Sequence, residues 1–392
     1  MTVKIAIISD THFGVSRGTE REEDCWENAR EAFEKAKDCD LIILPGDLFD
    51  GRIPRPEDWA KSMEILSGVN VPVVAIHGNH ERRGKEMINP VEGLERAKFL
   101  KYIHCNSVTL DVKGVKISIY GIGWVPESYA KEVLRHCNPK PIDGSYNILV
   151  MHQSISPYVF NPLDPPSIRL EDLPPGFDLY VNGHIHWPVK TEVHGKPFLI
   201  PGSTVTTQVN KSESKNPKGF YIVEIGEKVD IKFVKLENAR KVYYQEFEIS
   251  EKDKLSEVME KIENYLNGIN DEKKPLVRVI LKGKVKSGMD IDRSKIKKKY
   301  RDRLILSIGL KVIEGEVQKK IKLLRDLKEK KVSIDEMGMN ILRENMKELD
   351  IPPLYENIFD FLVDGNIDSA ITYLLSNSEN ASLRSTGIKK WL

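Results

Sequence analysis

The sequence predicts an α/β fold: a layered mixed sheet, then a second, small α/β unit, then a helical C-terminal tail. Two observations carry this. Over the first 200 residues, short β-branched apolar runs alternate with stretches of helical spacing, and beyond about residue 240 a strand–helix order starts afresh. Length agrees, since 392 residues at roughly 150 per domain make two or three domains. A composition of 40% hydrophobic and 30% charged residues excludes a disordered chain, a collagen and a membrane bundle. No run of about 18 apolar residues is present to span a bilayer.

The elements follow in order. KIAIIS (4–9), LIILP (41–45), VPVVAI (71–76), NILVM (147–151) and LYV (179–181) are short, apolar and bounded by Gly or Pro, as buried strands are. Helices are expected over about 20–37 and 57–67, where Ala, Glu, Lys and Leu recur at helical spacing. Residues 107–121 alternate about Lys113-Gly114, which predicts a hairpin, and similar pairs flank His194-Gly195 and Gly226-Glu227. The Pro-rich stretch 157–176 is too long for a plain connector and is expected to face substrate. The second unit reads strand (243–249), helix (253–266), strand (276–282), basic helix (290–300) and strand (304–313). In the tail, Ser333 and Glu336 fit a capping box. The expected division is therefore 1–240, 241–330 and 331–392.

Charge and special residues are unevenly placed. The net charge is only +1, yet residues 282–331 hold 18 Lys/Arg against 7 Asp/Glu, and residues 335–379 hold 2 against 10. Such asymmetry suggests different partners for different segments. Cys25, Cys39, Cys105 and Cys137 form no CxxC pair, so neither a disulfide frame nor a thiolate zinc site is expected. With no signal-peptide pattern at the start, the expectation is a reduced, cytoplasmic protein. All nine histidines lie between His12 and His194, so imidazole chemistry belongs to the first half.

Each apolar run in that half ends in a metal-capable group. Asp10-Thr-His12 follows the first, Gly46-Asp47-Leu-Phe-Asp50 the second and Gly78-Asn79-His80-Glu81 the third; His152 and Gly183-His184-Ile-His186 follow the last two. Ligands of open α/β sheets collect beyond the carboxyl ends of strands, so these groups can converge although they span 177 positions. Two Asp, one Asn and four His supply oxygen and nitrogen donors without thiolate, a set suited to Mn²⁺, Fe or Zn²⁺. If two cations share the site, one carboxylate must bridge them, and Asp47 is the natural choice. The glycines before Asp47, Asn79 and His184 permit a sharp turn from strand to loop. His77, His104, His136 and His194 are expected to be structural or surface residues.

The series DxH, GDxxD, GNHE, H, GHxH resembles the calcineurin-like metallophosphoesterase superfamily over about residues 3–205. Within it the chain is similar to DNA double-strand-break repair nucleases of the Mre-eleven/SbcD type. The cues are the Gly-Asp-Leu-Phe form of the second motif, Pro201-Gly202-Ser203 after the last, and the layout of an added small domain and helical tail. The resemblance implies a metallophosphoesterase-type β-sandwich flanked by helices, with a capping domain that contacts DNA. It further implies two Mn²⁺ ions per subunit, with Fe or Zn²⁺ as substitutes. One is assigned to Asp10, His12, Asp47 and His186, the other to Asp47, Asn79, His152 and His184. His80 is implied as no ligand but as the group that stabilises the transition state or protonates the leaving oxygen. These nucleases typically carry His three places after the bridging Asp, whereas this chain has Asp50. As in the wider superfamily, the Asp50 carboxylate is expected to orient His80.

The implied activity is exonuclease and endonuclease hydrolysis of duplex ends and single strands. Arg17, Arg52, Arg55, Arg82 and Arg83 are the expected phosphate contacts, with Lys295, Lys297, Lys298 and Lys299 on the second unit. The resemblance assigns the tail helices to the coiled-coil root of an SMC-like ATPase of the Rad-fifty/SbcC type. It also implies a homodimer, through helices near 57–67 and 91–99, and a nucleoid-associated location. The alternative is a phosphodiesterase or phosphatase for small or protein substrates. Against it stand GDLFDGR in place of the GDxVDRG of protein phosphatases, and the additional C-terminal residues.

Overall fold

A computed structural model of the chain describes residues 2–82, 87–160, 168–250, 255–283 and 293–312. Two six-stranded sheets form its main body. The first runs Val229–Lys235, Gly219–Ile225, Val3–Ile7, Leu41–Leu44, Val73–Ala75 and Lys101–Tyr102 in spatial order. The second runs Val189–Val193, Lys196–Ile200, Leu179–Asn182, Tyr146–Met151, Val115–Ile122 and Asn106–Val112. The apolar runs met first in the sequence pair in parallel, and the hairpins 219–235, 189–200 and 106–122 add antiparallel edges.

Why those runs are apolar without alternation is evident from their two faces. Successive strand residues point to opposite sides. Ile5, Ile7, Leu41, Ile43 and Val74 meet Ile117, Ile119, Ile148, Val150 and Val181 between the sheets. Ala6, Ile42, Leu44, Val73 and Ala75 turn outward against Ala29, Ala32, Phe33, Ile65 and Leu66 of helices Asp24–Lys35 and Pro56–Ser67. On the far side, Leu149, Met151, Tyr180 and Phe198 pack with Ala130 and Leu134 of helix Glu127–Cys137. Strands buried on both faces are apolar throughout.

Residues 242–312 carry a separate three-stranded parallel sheet, Val242–Ile249, Leu276–Gly283 and Ile305–Val312. Helices Leu255–Asn267 and Arg293–Tyr300 supply its connections, and Ile262, Leu266, Ile296 and Tyr300 join its own core. Arg240 anchors the approach to it. Its Nε donates to both carboxylate oxygens of Asp24 at 2.8 Å, and its Nη1 to the Lys274 carbonyl at 2.8 Å.

Helix bounds tighten the expected ones. Asp24–Lys35 begins later than residue 20, with Asp24 and Glu27 in its first turn and Lys35 in its last, as the helix dipole favours. Pro56 opens the second helix, and Asp58 accepts the Arg55 N–H at 2.9 Å. The cysteine expectation is corrected: Cys105 and Cys137 form a disulfide, with Cα atoms 5.1 Å apart, while Cys25 and Cys39 are free and buried. Spacing 32 residues apart hid the pair, because only the fold brings the end of helix 127–137 beside residue 105. The expected tail helices, Ser333 and Glu336, Arg83, and part of the Pro-rich stretch lie outside the described residues. No helix among the described residues is long and apolar enough to cross a membrane.

Candidate metal centre

The loops leaving the first two parallel strands run side by side. Asp10 N–H donates to Gly46 O at 3.2 Å, His12 N–H to Asp47 O at 3.0 Å, Phe13 N–H to Leu48 O at 2.7 Å and Asp50 N–H to Phe13 O at 3.0 Å. This ladder holds Asp10 (φ 51°), His12 (φ 45°) and Asp47 (φ 50°) in left-handed backbone, where His184 (φ 74°) also lies. That region costs roughly 1–2 kcal/mol for a residue with a Cβ, so it persists only where surrounding structure imposes it. Functional sites are where such conformations gather.

The three glycines of the motifs serve two different needs. Gly46 (φ 95°) requires the left-handed turn, and a Cβ there would also stand 2.5 Å from His152 Nδ1. Gly78 and Gly183 provide space instead: a Cβ on the first would strike the Asp47 carboxylate, and one on the second would strike the Pro45 carbonyl. The expectation of a sharp glycine turn is thus right for one and replaced by close approach at the others.

All seven expected ligand residues meet in one place. His12 and His186 present Nε2 to each other at 3.1 Å, and Asp10 Oδ1 lies 3.7 Å from His186 Nε2 and 4.0 Å from His12 Nε2. Asp47 Oδ2 lies 3.9 Å from His12 Nε2 and 3.3 Å from His152 Nε2. Asn79 Oδ1 is 3.2 Å from His152 Nε2 and 2.9 Å from His184 Nδ1. Asp47 therefore stands between an Asp10–His12–His186 group and an Asn79–His152–His184 group.

The donor set fits divalent cations. Asp10 Oδ1 is buried with no hydrogen-bond partner among the described residues, and it faces two imidazole nitrogens that approach each other. A cation satisfies a carboxylate and two lone pairs that otherwise compete. Charge points the same way. Burial pushes the Asp10 carboxyl up. Burial would also raise Asp47, but His152 and His12 outweigh it and hold that carboxyl below its usual range. Burial works against the His152 imidazolium, yet Asp47 pushes it up to about 9, whereas burial takes His184 down to about 3. His152 Nδ1–H donates to the Pro45 carbonyl at 2.7 Å, which leaves Nε2 for the centre.

The calcineurin-like phosphoesterase family matches residues 3–188. The chain is 27% identical over 266 residues to the "DNA double-strand break repair protein Mre11" of Methanopyrus kandleri, covering 61% of this chain and 58% of that one. It is 28% identical over 317 residues to the "Double-strand break repair protein MRE11" of Encephalitozoon cuniculi, covering 69% and 53%. For the Mre11 of Sulfolobus acidocaldarius the figures are 27% over 305 residues, covering 74% and 77%. Residues 3–188 thus carry the calcineurin-like phosphoesterase match, and the chain is similar to Mre11 proteins over a longer stretch. It spans little more than half the length of the first two of these relatives.

Asp50 meets two histidines. Its carboxylate Oδ1 lies 3.1 Å from His12 Nδ1 and 3.6 Å from His80 Nδ1. The nearer partner of His80 Nδ1 is the Asp50 main-chain carbonyl, at 2.9 Å. The Asp50 carboxylate therefore lies within ion-pair distance of His80, as expected, while it stands closer to His12, and the main chain of Asp50 also bonds His80. Sequence position cannot distinguish the two oxygens. His80 N–H also donates to Asp47 Oδ1 at 3.0 Å, which ties its backbone to the centre.

The expected DNA contacts divide. Arg52, Arg55 and Arg82 are exposed, and Arg82 lies over the Trp124 ring at 5.3 Å. Arg17 is engaged by Asp58, which fixes it against helix Pro56–Ser67. Lys295, Lys297, Lys298 and Lys299 lie exposed on helix Arg293–Tyr300, with Lys299 paired to Glu263 at 2.8 Å.

Three residues near the centre escaped the sequence. Glu81 is buried and accepts the N–H groups of Phe49 at 2.9 Å and Gly78 at 2.8 Å, so it braces the second and third motif loops together. Its place in GNHE was the available signal. Phe160 packs edge-to-face against His184, His186 and Trp187 at centroid distances of 5.2, 5.0 and 5.7 Å. Thr207 places Oγ1 2.8 Å from His186 Nδ1, and no motif marks it.

Proposed function

We propose that the chain is a divalent-metal-dependent nuclease that hydrolyses DNA phosphodiesters at double-strand breaks. The observation that carries this is the convergence of Asp10, His12, Asp47, Asn79, His152, His184 and His186 around a central carboxylate, in a chain of the Mre11 type. Asp10, His12, Asp47 and His186 would hold one ion, and Asp47, Asn79, His152 and His184 the other. Two bound cations supply Lewis-acid activation of water and charge stabilisation on phosphorus. Mn²⁺ is the proposed ion, on the mixed N/O donor set.

The chain's own groups do the rest. His80 donates Nδ1–H to the Asp50 carbonyl, so its Nε2 faces outward, and a proton held there serves the leaving oxygen. The side chain is 36% exposed, which suits a group that meets a large substrate. Arg52, Arg55 and Arg82 would bind the phosphate backbone without reading sequence.

The same reading divides the chain into a nuclease unit (1–240), a DNA-contacting cap (241–330) and a tail (331–392) that grips an SMC-like coiled-coil ATPase. It assigns a homodimer to the helices Pro56–Ser67 and Pro90–Arg96, and a cytoplasmic, nucleoid-associated setting. The deciding experiment incubates the full chain with linear duplex DNA, circular single-stranded DNA, a cyclic nucleotide and a phosphopeptide, each with Mn²⁺ or EDTA. Cleavage of both DNAs with Mn²⁺ alone is expected. Turnover of the phosphopeptide or cyclic nucleotide with DNA left intact overturns the reading.

A further inference from the structure

Behind the Nδ1 edge of His186 sits a buried ion pair that the motif series does not include. Glu213 is 4% exposed and Lys218 5% exposed. Lys218 Nζ pairs with Glu213 Oε2, and donates to Ser203 Oγ at 2.7 Å and to the His186 carbonyl at 3.1 Å. Glu213 Oε1 lies 3.5 Å from His186 Nδ1. Both partners are themselves fixed: Glu213 N–H donates to Asn210 Oδ1 at 2.9 Å, and the Lys218 carbonyl accepts Leu236 N–H at 2.9 Å.

Two charges withdrawn from water rarely gain net stability from each other, so a buried pair calls for another account than cohesion. His186 offers one. Its Nε2 faces His12 and Asp10, and a cation there takes the Nε2 lone pair, which requires the ring proton on Nδ1. That N–H finds the Thr207 hydroxyl oxygen at 2.8 Å, and the Glu213 charge beside it favours the same tautomer. An anion behind a ligand imidazole also makes the metal-side nitrogen a better donor. Lys218 meanwhile clamps the main chain of the same residue.

We propose that Glu213 and Lys218 are positioning residues for His186, setting its tautomer and fixing its backbone so that Nε2 receives a divalent cation. This rests on the reading of Asp10, His12 and His186 as ligands. Neither residue touches the cation or the substrate.

The test titrates the metal-free full chain with Mn²⁺ by calorimetry and by the loss of the free-ion electron paramagnetic resonance signal. Wild type is compared with Glu213→Gln and with the double variant Glu213→Gln/Lys218→Met, which leaves no charge buried alone. Both variants should weaken one Mn²⁺ equivalent by about 10–100-fold and leave the other as in wild type. Thermal unfolding of the metal-free double variant should match wild type. An unaltered isotherm in Glu213→Gln, equal weakening of both equivalents, or unfolding of both variants overturns the proposal. Absence of Mn²⁺ uptake by the wild type would instead overturn the ligand assignment beneath it.

Discussion

Asp50 reaches His12 through its carboxylate, Oδ1 to Nδ1 at 3.1 Å, and this contact orients an imidazole proposed as a metal ligand. Asp50→Ala should therefore weaken Mn²⁺ binding, by about tenfold, while the His80 ring keeps its bond to the residue-50 carbonyl. Calorimetric titration of the variant checks this. Full-strength metal binding with lost turnover would instead return the carboxylate to His80.

His80 and Asp47 should separate chemistry from metal retention. His80→Ala is expected to bind Mn²⁺ as wild type and to lose DNA cleavage by about 10²–10⁴-fold, the usual share of a proton donor. Asp47→Ala should lose metal and cleavage together, since its carboxylate lies close to both His12 and His152. Near wild-type cleavage by His80→Ala would remove that residue from the mechanism.

Gly78→Ala places a methyl against the Asp47 carboxylate and should reduce Mn²⁺ affinity. Gly51→Ala, whose added Cβ meets nothing within 4 Å, is the matched control and should bind normally. Equal isotherms for the two variants would show that the approach at Gly78 has slack.

His77 predicts a pH dependence of folding. Its Nδ1 accepts from the Tyr102 hydroxyl at 2.7 Å and its Nε2–H donates to the Trp124 carbonyl at 3.1 Å, so the ring is buried neutral. Burial, aided by His104, takes its pKa from 6.5 to about 3. The unfolded chain then binds the extra proton between those values. The stability it contributes is complete above pH 6.5 and is lost as pH falls toward 3. Between pH 6.5 and 5.5 the loss is on the order of 1 kcal/mol. Urea midpoints of wild type and His77→Gln at pH 7.5 and 5.5 test this: the wild type should fall more. Parallel changes would assign the pH effect to other groups.

Much of the fold was legible because doubly buried strands leave unbroken apolar text, and because parallel strands put their following loops at one end. That geometry explains why the groups around Asp10, Asp47, Asn79 and His184 can converge, while their expected roles as ligands came from the family resemblance. What stayed hidden depends on contacts across the fold. Helix Glu127–Cys137 buries only Ala130 and Leu134, too sparse a stripe to announce itself. The Cys105–Cys137 bond joins a strand approach to that helix's end. Glu213 and Lys218 look like ordinary members of a charged loop (KSESKNPKG) until the fold encloses them. Asp50 was in view, but which of its oxygens meets which histidine is a matter of a few tenths of an ångström.

The centre draws on loops from both sheets, between Asp10 and His186, so no partial fold brings together all of the proposed ligands. Cation uptake thereby reports on finished assembly. A nascent or half-unfolded molecule would carry those imidazoles and carboxylates scattered, so the phosphodiester cleavage proposed for this chain would be confined to molecules that have reached their native state.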